Sequence, residues 1–195
     1  MDESRLIQDA LRLLGGGAET RDATELLTRV YAAYKDVFTP RAVYALFPIT
    51  KHTPAVTLEG CDIRLEGEHI RRHLEDASAA LLNAFTLGVG VDKKVKELSL
   101  SRPSESVALN AIASIYAERI ADEMLGAERD KLEKEGAKTN FRYCPGYGDL
   151  PLSTNIDVAR VLNAQKKIGL TVTTEGLLLP RKSIVGIVGV KKDVR

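Results

Sequence analysis

A short segment from Arg142 to Tyr147 carries the residue types best suited to hold a charged small molecule. The guanidinium of Arg142 presents a planar set of donors that matches a carboxylate. Gly146 lets the backbone approach a ligand closely, and Tyr147 offers both an aromatic face and a hydroxyl group. Together these groups could bind an amino acid that is attached to a cation. The alternative is a tight surface turn that only joins two elements, because proline and glycine are common in such turns.

Glu118 is the second candidate binding residue, and it lies in a long segment with helical periodicity from Ser104 to about Leu132. Steps of four and three residues place it on a stripe of mostly small side chains, where a carboxylate would be partly removed from water. The alternative is that Glu118 lies at the edge of this stripe and reaches solvent or a nearby basic side chain. Periodicity alone does not separate the two. The stripe consists of Val107, Ala111, Ser114, Glu118, Ala121 and Leu125.

Other familiar kinds of site are missing from the sequence. There is no phosphate-binding loop of the Walker type, and Gly88 and Gly90 lack the third glycine of a dinucleotide-binding loop. His69 and His73 are four residues apart, a spacing that could chelate a metal, but a solvated helix edge is the simpler interpretation. No serine or cysteine nucleophile is recognisable. We therefore predict no catalytic residue and no metal ligand in this chain.

Composition excludes several classes of partner. The 195 residues carry 28 basic and 27 acidic side chains, and no long run of like charge suggests a nucleic-acid-binding face. The longest uncharged stretch, from Ala77 to Val91, is shorter than the roughly 18 apolar residues of a membrane span. The acidic start does not resemble a signal peptide. We expect a cytoplasmic protein with reduced cysteines that binds neither nucleic acid nor membrane.

Helices and strands alternate without a strict βαβ order, which favours an α+β fold. Residues 1–40 are predicted to form a helical N-terminal extension, and residues 41–195 the main domain, with one continuous core between them. The expected helices are 3–14, one capped by Thr20 or Asp22 that ends before Pro40, 68–80, a short one capped by Asp92, 104–132 and one capped by Ser153 that ends near 167. The expected strands are 42–47 ending at Pro48, 55–58, 61–65, 168–174 and 183–190, with 80–87 as a buried strand or a continuation of the preceding helix.

The residues of this chain resemble the activation domain of cobalamin-dependent methionine synthase, which also occurs as a separate subunit. Arg142, Gly146 and Tyr147 match the RxxxGY motif with which that domain binds S-adenosylmethionine. Residues 84–88 resemble the A-T-T-L-G segment of the family, and Glu118 lies in the helix where the family has a ligand-binding glutamate. The order of Pro180, Ser183 and Gly186 is similar to the closing pattern of the family. The resemblance covers about residues 40 to 190.

The resemblance implies a single compact α+β domain with a mixed, largely antiparallel twisted sheet flanked by helices. It also implies a site for S-adenosylmethionine in which Arg142 binds the carboxylate of the ligand and Glu118 binds its ammonium group. Backbone groups around Cys144 and Gly146 would bind other polar atoms, and Tyr147 would pack beside the adenosyl or sulfonium part. For Cys144 we favour a structural role as a small residue before proline.

The family restores methionine synthase after its cobalamin has become Co(II), by one-electron reduction and remethylation from S-adenosylmethionine. This chain has no DxHxxG cobalamin motif. The resemblance therefore implies that a partner, either a cobalamin-binding protein or a methionine synthase core, supplies the cobalamin. Flavodoxin or ferredoxin would supply the electron. The chain would then be a component of a methyltransferase whose methyl acceptor lies on the partner.

A second hypothesis is a docking module that recognises a corrinoid protein without using S-adenosylmethionine or catalysing a reaction. Two departures from the family motivate it. The L-T-E-S stretch of the family is replaced by residues 172–175, and the sequence stops at Arg195, before a family segment that contains a ligand-contacting tyrosine. Titration with S-adenosylmethionine separates the two hypotheses.

Overall fold

A computed structural model describes residues 2–15 and 21–192, which form seven helices and eight strands. The helices are Glu3–Leu13 (α1), Arg21–Tyr34 (α2), Glu68–His73 (α3), Val89–Ser101 (α4), Pro103–Lys134 (α5), Thr154–Val161 (α6) and Ala164–Ile168 (α7). The strands are Arg41–Lys51 (β1), Val56–Leu58 (β2), Arg64–Leu65 (β3), Ala79–Thr86 (β4), Ala137–Thr139 (β5), Thr171–Val172 (β6), Leu178–Leu179 (β7) and Ser183–Lys192 (β8). A short 3₁₀ turn at Lys35–Val37 connects α2 to β1.

The main sheet has the strand order β3-β2-β1-β4-β8-β5, and each of its described pairs is antiparallel. A separate two-stranded sheet pairs β6 with β7. Every residue of β4 is buried, because this strand lies between two long neighbours and both of its faces are covered. The predicted α+β fold with a largely antiparallel sheet is confirmed.

Each face of the main sheet is covered by its own set of helices. On one face, α1, α2, α4 and α5 form an apolar cluster against the sheet, with Phe85 of β4 pointing into it. On the opposite face, α3, α6 and α7 pack over Leu82 and Ala84 of β4 and Ile187 of β8. Alternate residues of a strand point to opposite faces, so β4 contributes apolar side chains to both clusters.

The N-terminal helices share the core of the main sheet. Leu6 of α1 and Val30 of α2 are buried in the same cluster as Ile112 of α5. An ion pair between Arg119 and Asp9 further joins α1 to α5. The predicted boundary at residue 40 therefore separates segments of one apolar cluster in this structure, and its status as a domain boundary stays a prediction.

Several predicted boundaries were wrong for local reasons. β1 continues through Pro48 to Lys51, because the sheet needs no backbone N–H donor at residue 48. The N–H of Ile49 donates to the carbonyl of Ser78, and the N–H of Glu59 donates to the carbonyl of Pro48. The helix expected over 68–80 ends at His73, and the chain then enters β4 as a strand. Asp92 does not cap α4, which begins at Val89, but accepts the backbone N–H of Arg181 at 2.8 Å.

The C-terminal third also differs from the predicted elements. The single helix expected to end near residue 167 is two helices, because Asn163 adopts a left-handed conformation with φ of 53° and interrupts it. The strand expected over 168–174 is reduced to β6, and β5 and β7 were not predicted. The strand expected over 61–65 is likewise reduced to β3. The suggested cap Thr20 lies outside the described residues.

No helix within the described ranges is long and apolar enough to cross a membrane.

Candidate functional site

Arg142 and Tyr143 run beside β8 and place the predicted binding segment against the sheet. Tyr143 and Ile187 exchange two backbone hydrogen bonds of 2.8 Å. Position 186 is glycine, and a β-carbon there would overlap the Cγ and Cδ atoms of Arg142. The stem of Arg142 therefore lies directly on β8, and only 12% of its side chain is exposed.

The guanidinium of Arg142 meets two carboxylates on α5. Its Nη2 atom donates to Glu118 Oε2 at 2.6 Å, and its Nη1 atom lies 3.3 Å from Asp122 Oδ1. Both acidic side chains are more than half exposed, at 58% and 66%. The structure thus brings Arg142 and Glu118 together, as the candidate site requires, and adds Asp122, which sequence reasoning missed.

Glu118 does not lie in the buried stripe of α5. The buried positions near it are Ala117 and Ala121, whereas Glu118 lies at the edge and reaches the sheet through Arg142. The alternative interpretation of this residue, a position at the edge that contacts a basic side chain, is therefore the one that the structure confirms. The spacing of Asp122 four residues later was a signal for a second acid on the same edge.

The turn after Arg142 is closed by its own backbone. Tyr147 N–H donates to the carbonyl of Cys144 at 3.1 Å, and Leu150 N–H donates to the carbonyl of Tyr147 at 3.0 Å. Gly146 N–H donates back to the carbonyl of Leu150 at 2.9 Å, with φ of 91° at Gly146. A positive φ is costly for a residue that has a β-carbon, so glycine is favoured at position 146. The turn is a fixed unit anchored in the core by Leu150.

Asp149 attaches this turn to α3. Its two carboxylate oxygens accept the backbone N–H groups of Glu68 and His69, at 2.6 and 3.1 Å. Partial burial acts to raise the pKa of Asp149, but these two donors outweigh it and hold the pKa below its usual value. Gly67 and Gly148 leave room for the contact, since a β-carbon at either position would strike Asp149 or His69. A carboxylate at the start of α3 thus fixes the turn.

Tyr147 and Cys144 complete the set of predicted site residues. The ring of Tyr147 is 57% exposed next to the Arg142 end of the turn. The pKa of Tyr147 is raised mainly by the nearby Cys144 thiol and secondly by burial. Burial likewise raises the pKa of the Cys144 thiol, although Arg142 acts in the opposite direction. At neutral pH both groups are therefore protonated.

The two predicted helix histidines have different environments. His69 is exposed beside Asp149. The ring of His73 instead packs between Phe141 and Tyr143, with centroid distances of 4.5 and 5.1 Å. The solvated helix edge predicted for both residues is therefore wrong for His73. Among the described residues, no group of three or more histidine, cysteine or acidic side chains could hold a metal ion.

A buried amide lies under Arg142. Asn83, in the middle of β4, pairs with Gly186 and is 4% exposed, and its Nδ2 atom has no hydrogen-bond partner within the described part of the chain. On the other side Asn83 pairs with Tyr44, whose pKa burial raises to about 12. A polar residue in the middle of a mostly apolar strand was a signal that this part of the sheet faces polar groups.

Comparison with solved structures gives a match across almost the whole chain. A structure described as the MetH reactivation domain bound to AdoHcy aligns with 98% of this chain at a TM-score of 0.63 and 17% identity. This chain has the fold of that reactivation domain. The match covers 66% of the other chain, just under two thirds of its length. No protein-family model and no curated protein matches the sequence.

Within the reactivation-domain fold, the predicted site residues lie in one region formed by α5, β8 and the turn at 144–150. Glu118 and Arg142 are in direct contact, and Cys144, Gly146 and Tyr147 follow Arg142 in the turn. Their role towards a ligand stays a prediction.

Proposed function

We propose that this chain binds S-adenosylmethionine and is the reactivation component that supports reductive remethylation of Co(II) cobalamin on a partner methionine synthase or related corrinoid methyltransferase. The ion pair between Arg142 and Glu118, held at 2.6 Å beside the turn, carries this proposal. The fold shared with a reactivation domain that binds AdoHcy supports it.

An amino-acid zwitterion is suited to an ion pair of this kind. Arg142 exchanges one carboxylate for another when it binds the carboxylate of the ligand, and Glu118 then receives the ammonium group in place of the guanidinium. The charge of the site is unchanged by this exchange. A simple anion that bound Arg142 would leave Glu118 without an ion-pair partner. A simple cation that bound Glu118 would leave Arg142 without one.

The sulfonium end of the ligand sets a second condition. Methyl transfer removes the positive charge from sulfur, so a carboxylate beside the sulfonium would stabilise the reactant more than the transition state. Glu118 is therefore assigned to the ammonium group. The exposed ring of Tyr147 remains for the adenosyl and sulfonium parts of the ligand, whereas the Gly146 N–H and the Cys144 carbonyl already pair within the turn.

The methyl acceptor in this proposal lies on the partner. The partner's cobalamin, once reduced to Co(I) with an electron from flavodoxin or ferredoxin, would accept the methyl group, and S-adenosylhomocysteine would be released from this chain. The residues of this chain hold and orient the methyl donor. Such orientation supplies a large part of the rate acceleration in many enzyme-catalysed reactions. We place the chain in the cytoplasm with its partner.

Calorimetric titration with S-adenosylmethionine tests the binding step. Arg142→Ala should weaken binding by about ten- to a hundredfold, because a charge-assisted bidentate contact contributes roughly 1.5 to 3 kcal/mol. Arg160→Ala is the matched control, since Arg160 also bridges two acids but lies on α6. Equal affinity of wild type and a folded Arg142→Ala variant would remove Arg142 from the site.

A reconstituted reaction tests the complete proposal. The chain, a Co(II) corrinoid protein, a low-potential electron donor and S-adenosylmethionine should together form methylcobalamin, which changes the absorption spectrum of the corrinoid. Omission of any one component should abolish the change. If remethylation is equally fast without this chain, the docking-module hypothesis replaces the proposal.

A further inference from the structure

Asp122 occupies a place that no predicted role explains. It lies one helical turn after Glu118 on α5, and its Oδ1 atom is 3.3 Å from Nη1 of Arg142. Two acids four residues apart on a helix repel each other, and the guanidinium between them relieves that repulsion. Asp122 is exposed and contributes little to stability as a surface ion pair. Its position on the binding arginine therefore points to an effect on ligand binding.

Both terminal nitrogens of Arg142 already have acidic partners. Nη2 contacts Glu118 and Nη1 contacts Asp122, while the stem is fixed on Gly186. The guanidinium cannot withdraw into the sheet, because a buried strand lies behind it. An incoming carboxylate that pairs with both terminal nitrogens must consequently displace both acids.

The two acids differ in what they gain from a ligand. Glu118 loses a contact of 2.6 Å with Arg142 but gains the ammonium group of a zwitterion. Asp122 has the longer contact, and a ligand with a single ammonium group offers it no replacement. The ligand therefore repays the contact that Glu118 loses but does not repay the contact that Asp122 loses.

We infer that Asp122 is an internal competitor that occupies the ligand carboxylate's place on Arg142 and is displaced when a zwitterionic ligand binds. This inference rests on the proposed function. Asp122 thereby lowers affinity for every ligand with a carboxylate. A zwitterion repays the contact that Glu118 loses, whereas a simple anion repays neither loss. Glu118 therefore provides the selection for a zwitterion, and Asp122 limits how tightly any ligand with a carboxylate binds.

The test is titration of wild type and Asp122→Asn with S-adenosylmethionine. The amide keeps the shape of the side chain and removes its charge, so the variant should bind about two- to fivefold more tightly. The gain should shrink at high salt, because the competing pair is exposed. In an Arg142→Ala background the same substitution should change affinity by much less, since nothing remains to compete for.

Glu123→Gln is the matched control. It removes the same charge from the next exposed position of α5. Equal tightening in this control would assign the effect to net charge and overturn the inference. Unchanged or weaker binding by Asp122→Asn, with wild type binding normally, would overturn it too. Absence of binding by all three proteins would instead remove the proposed ligand site itself.

Discussion

The stem of Arg142 lies against Gly186, which pairs with Asn83 in the neighbouring strand. An added β-carbon at position 186 would be 2.7 Å from Cδ of Arg142 and 2.9 Å from Oδ1 of Asn83, distances that side chains do not tolerate. The glycine on β8 therefore determines where the guanidinium lies. The binding arginine is positioned by the sheet and not only by its own turn.

Gly186→Ala should displace Arg142 and weaken S-adenosylmethionine binding by about tenfold or more, because a charge-assisted contact depends on its geometry. Gly126→Ala is a control with the opposite expectation. A β-carbon at Gly126 meets nothing within 4 Å, and alanine stabilises a helix interior by up to about 1 kcal/mol relative to glycine. Calorimetry and urea unfolding measure both effects. Normal binding by Gly186→Ala would show that Arg142 has another acceptable position.

Asp149→Ala should weaken S-adenosylmethionine binding by about three- to tenfold, because it releases the turn from the N-terminus of α3. Asp149→Asn keeps one acceptor oxygen and should have an intermediate effect. The folded pKa of Asp149 lies below its usual value, so the contact is present above pH 3.8 and is lost as pH falls through the lowered pKa. Asp157→Ala on α6 serves as the control. Affinity equal to wild type in Asp149→Ala would show that the turn holds its shape without α3.

The parts of the fold that the sequence predicted are those with strong periodicity. The long helix α5 and the central strand β8 were predicted within a few residues, because their apolar patterns are continuous. The apolar run 80–87 left a strand and a continued helix both open, and the structure has the strand β4 there. The short strands β5 and β7 have only two or three residues, and β5 depends on β8, a partner that is distant in sequence. Local pattern carries no information about such pairing.

The candidate site divides in the same way. Arg142, Gly146 and Tyr147 lie within six residues of one another, and their residue types alone allowed either a turn that holds a ligand or a plain surface turn. The contact of Arg142 with Asp122 and that of Asp149 with α3 join residues far apart in the chain. Such contacts follow from the packing of elements, which periodicity does not specify.

Cys144→Ala should keep both S-adenosylmethionine binding and reactivation, with affinity within about twofold of wild type. Burial raises the pKa of the Cys144 thiol, so the thiolate that would act as nucleophile or cobalt ligand is scarce at neutral pH. Cys61→Ala is the control for loss of a thiol elsewhere. Binding is measured by calorimetry, and reactivation by the corrinoid spectrum. Loss of reactivation with intact binding would show that the thiol takes part in the reaction.

His73 should make stability depend on pH near neutrality. Burial among Phe141 and Tyr143 lowers the pKa of His73 from 6.5, although backbone carbonyls act in the opposite direction, and its Nε2 atom has no partner among the described residues. The unfolded chain therefore takes up a proton as pH falls through about 6.5, before the folded protein does. The free energy of unfolding should decrease from pH 7.5 towards the lowered pKa of the folded state.

His73→Phe should reduce this dependence, because phenylalanine fills the aromatic site without a proton to bind, whereas His69→Asn at the exposed position should retain it. The free energy of unfolding cannot change by more than about 1.4 kcal/mol per pH unit when one proton is bound, and partial solvation of His73 makes the change smaller. Urea unfolding at pH 7.5 and 5.5 provides the measurement.

His73 also packs on Tyr143, whose hydroxyl donates to the carbonyl of Tyr147 at 3.1 Å. Protonation of the folded protein should consequently loosen the turn, so S-adenosylmethionine affinity should fall as pH drops through the lowered pKa of His73 in wild type, and less in His73→Phe. Identical pH profiles for the two proteins would separate His73 from both effects.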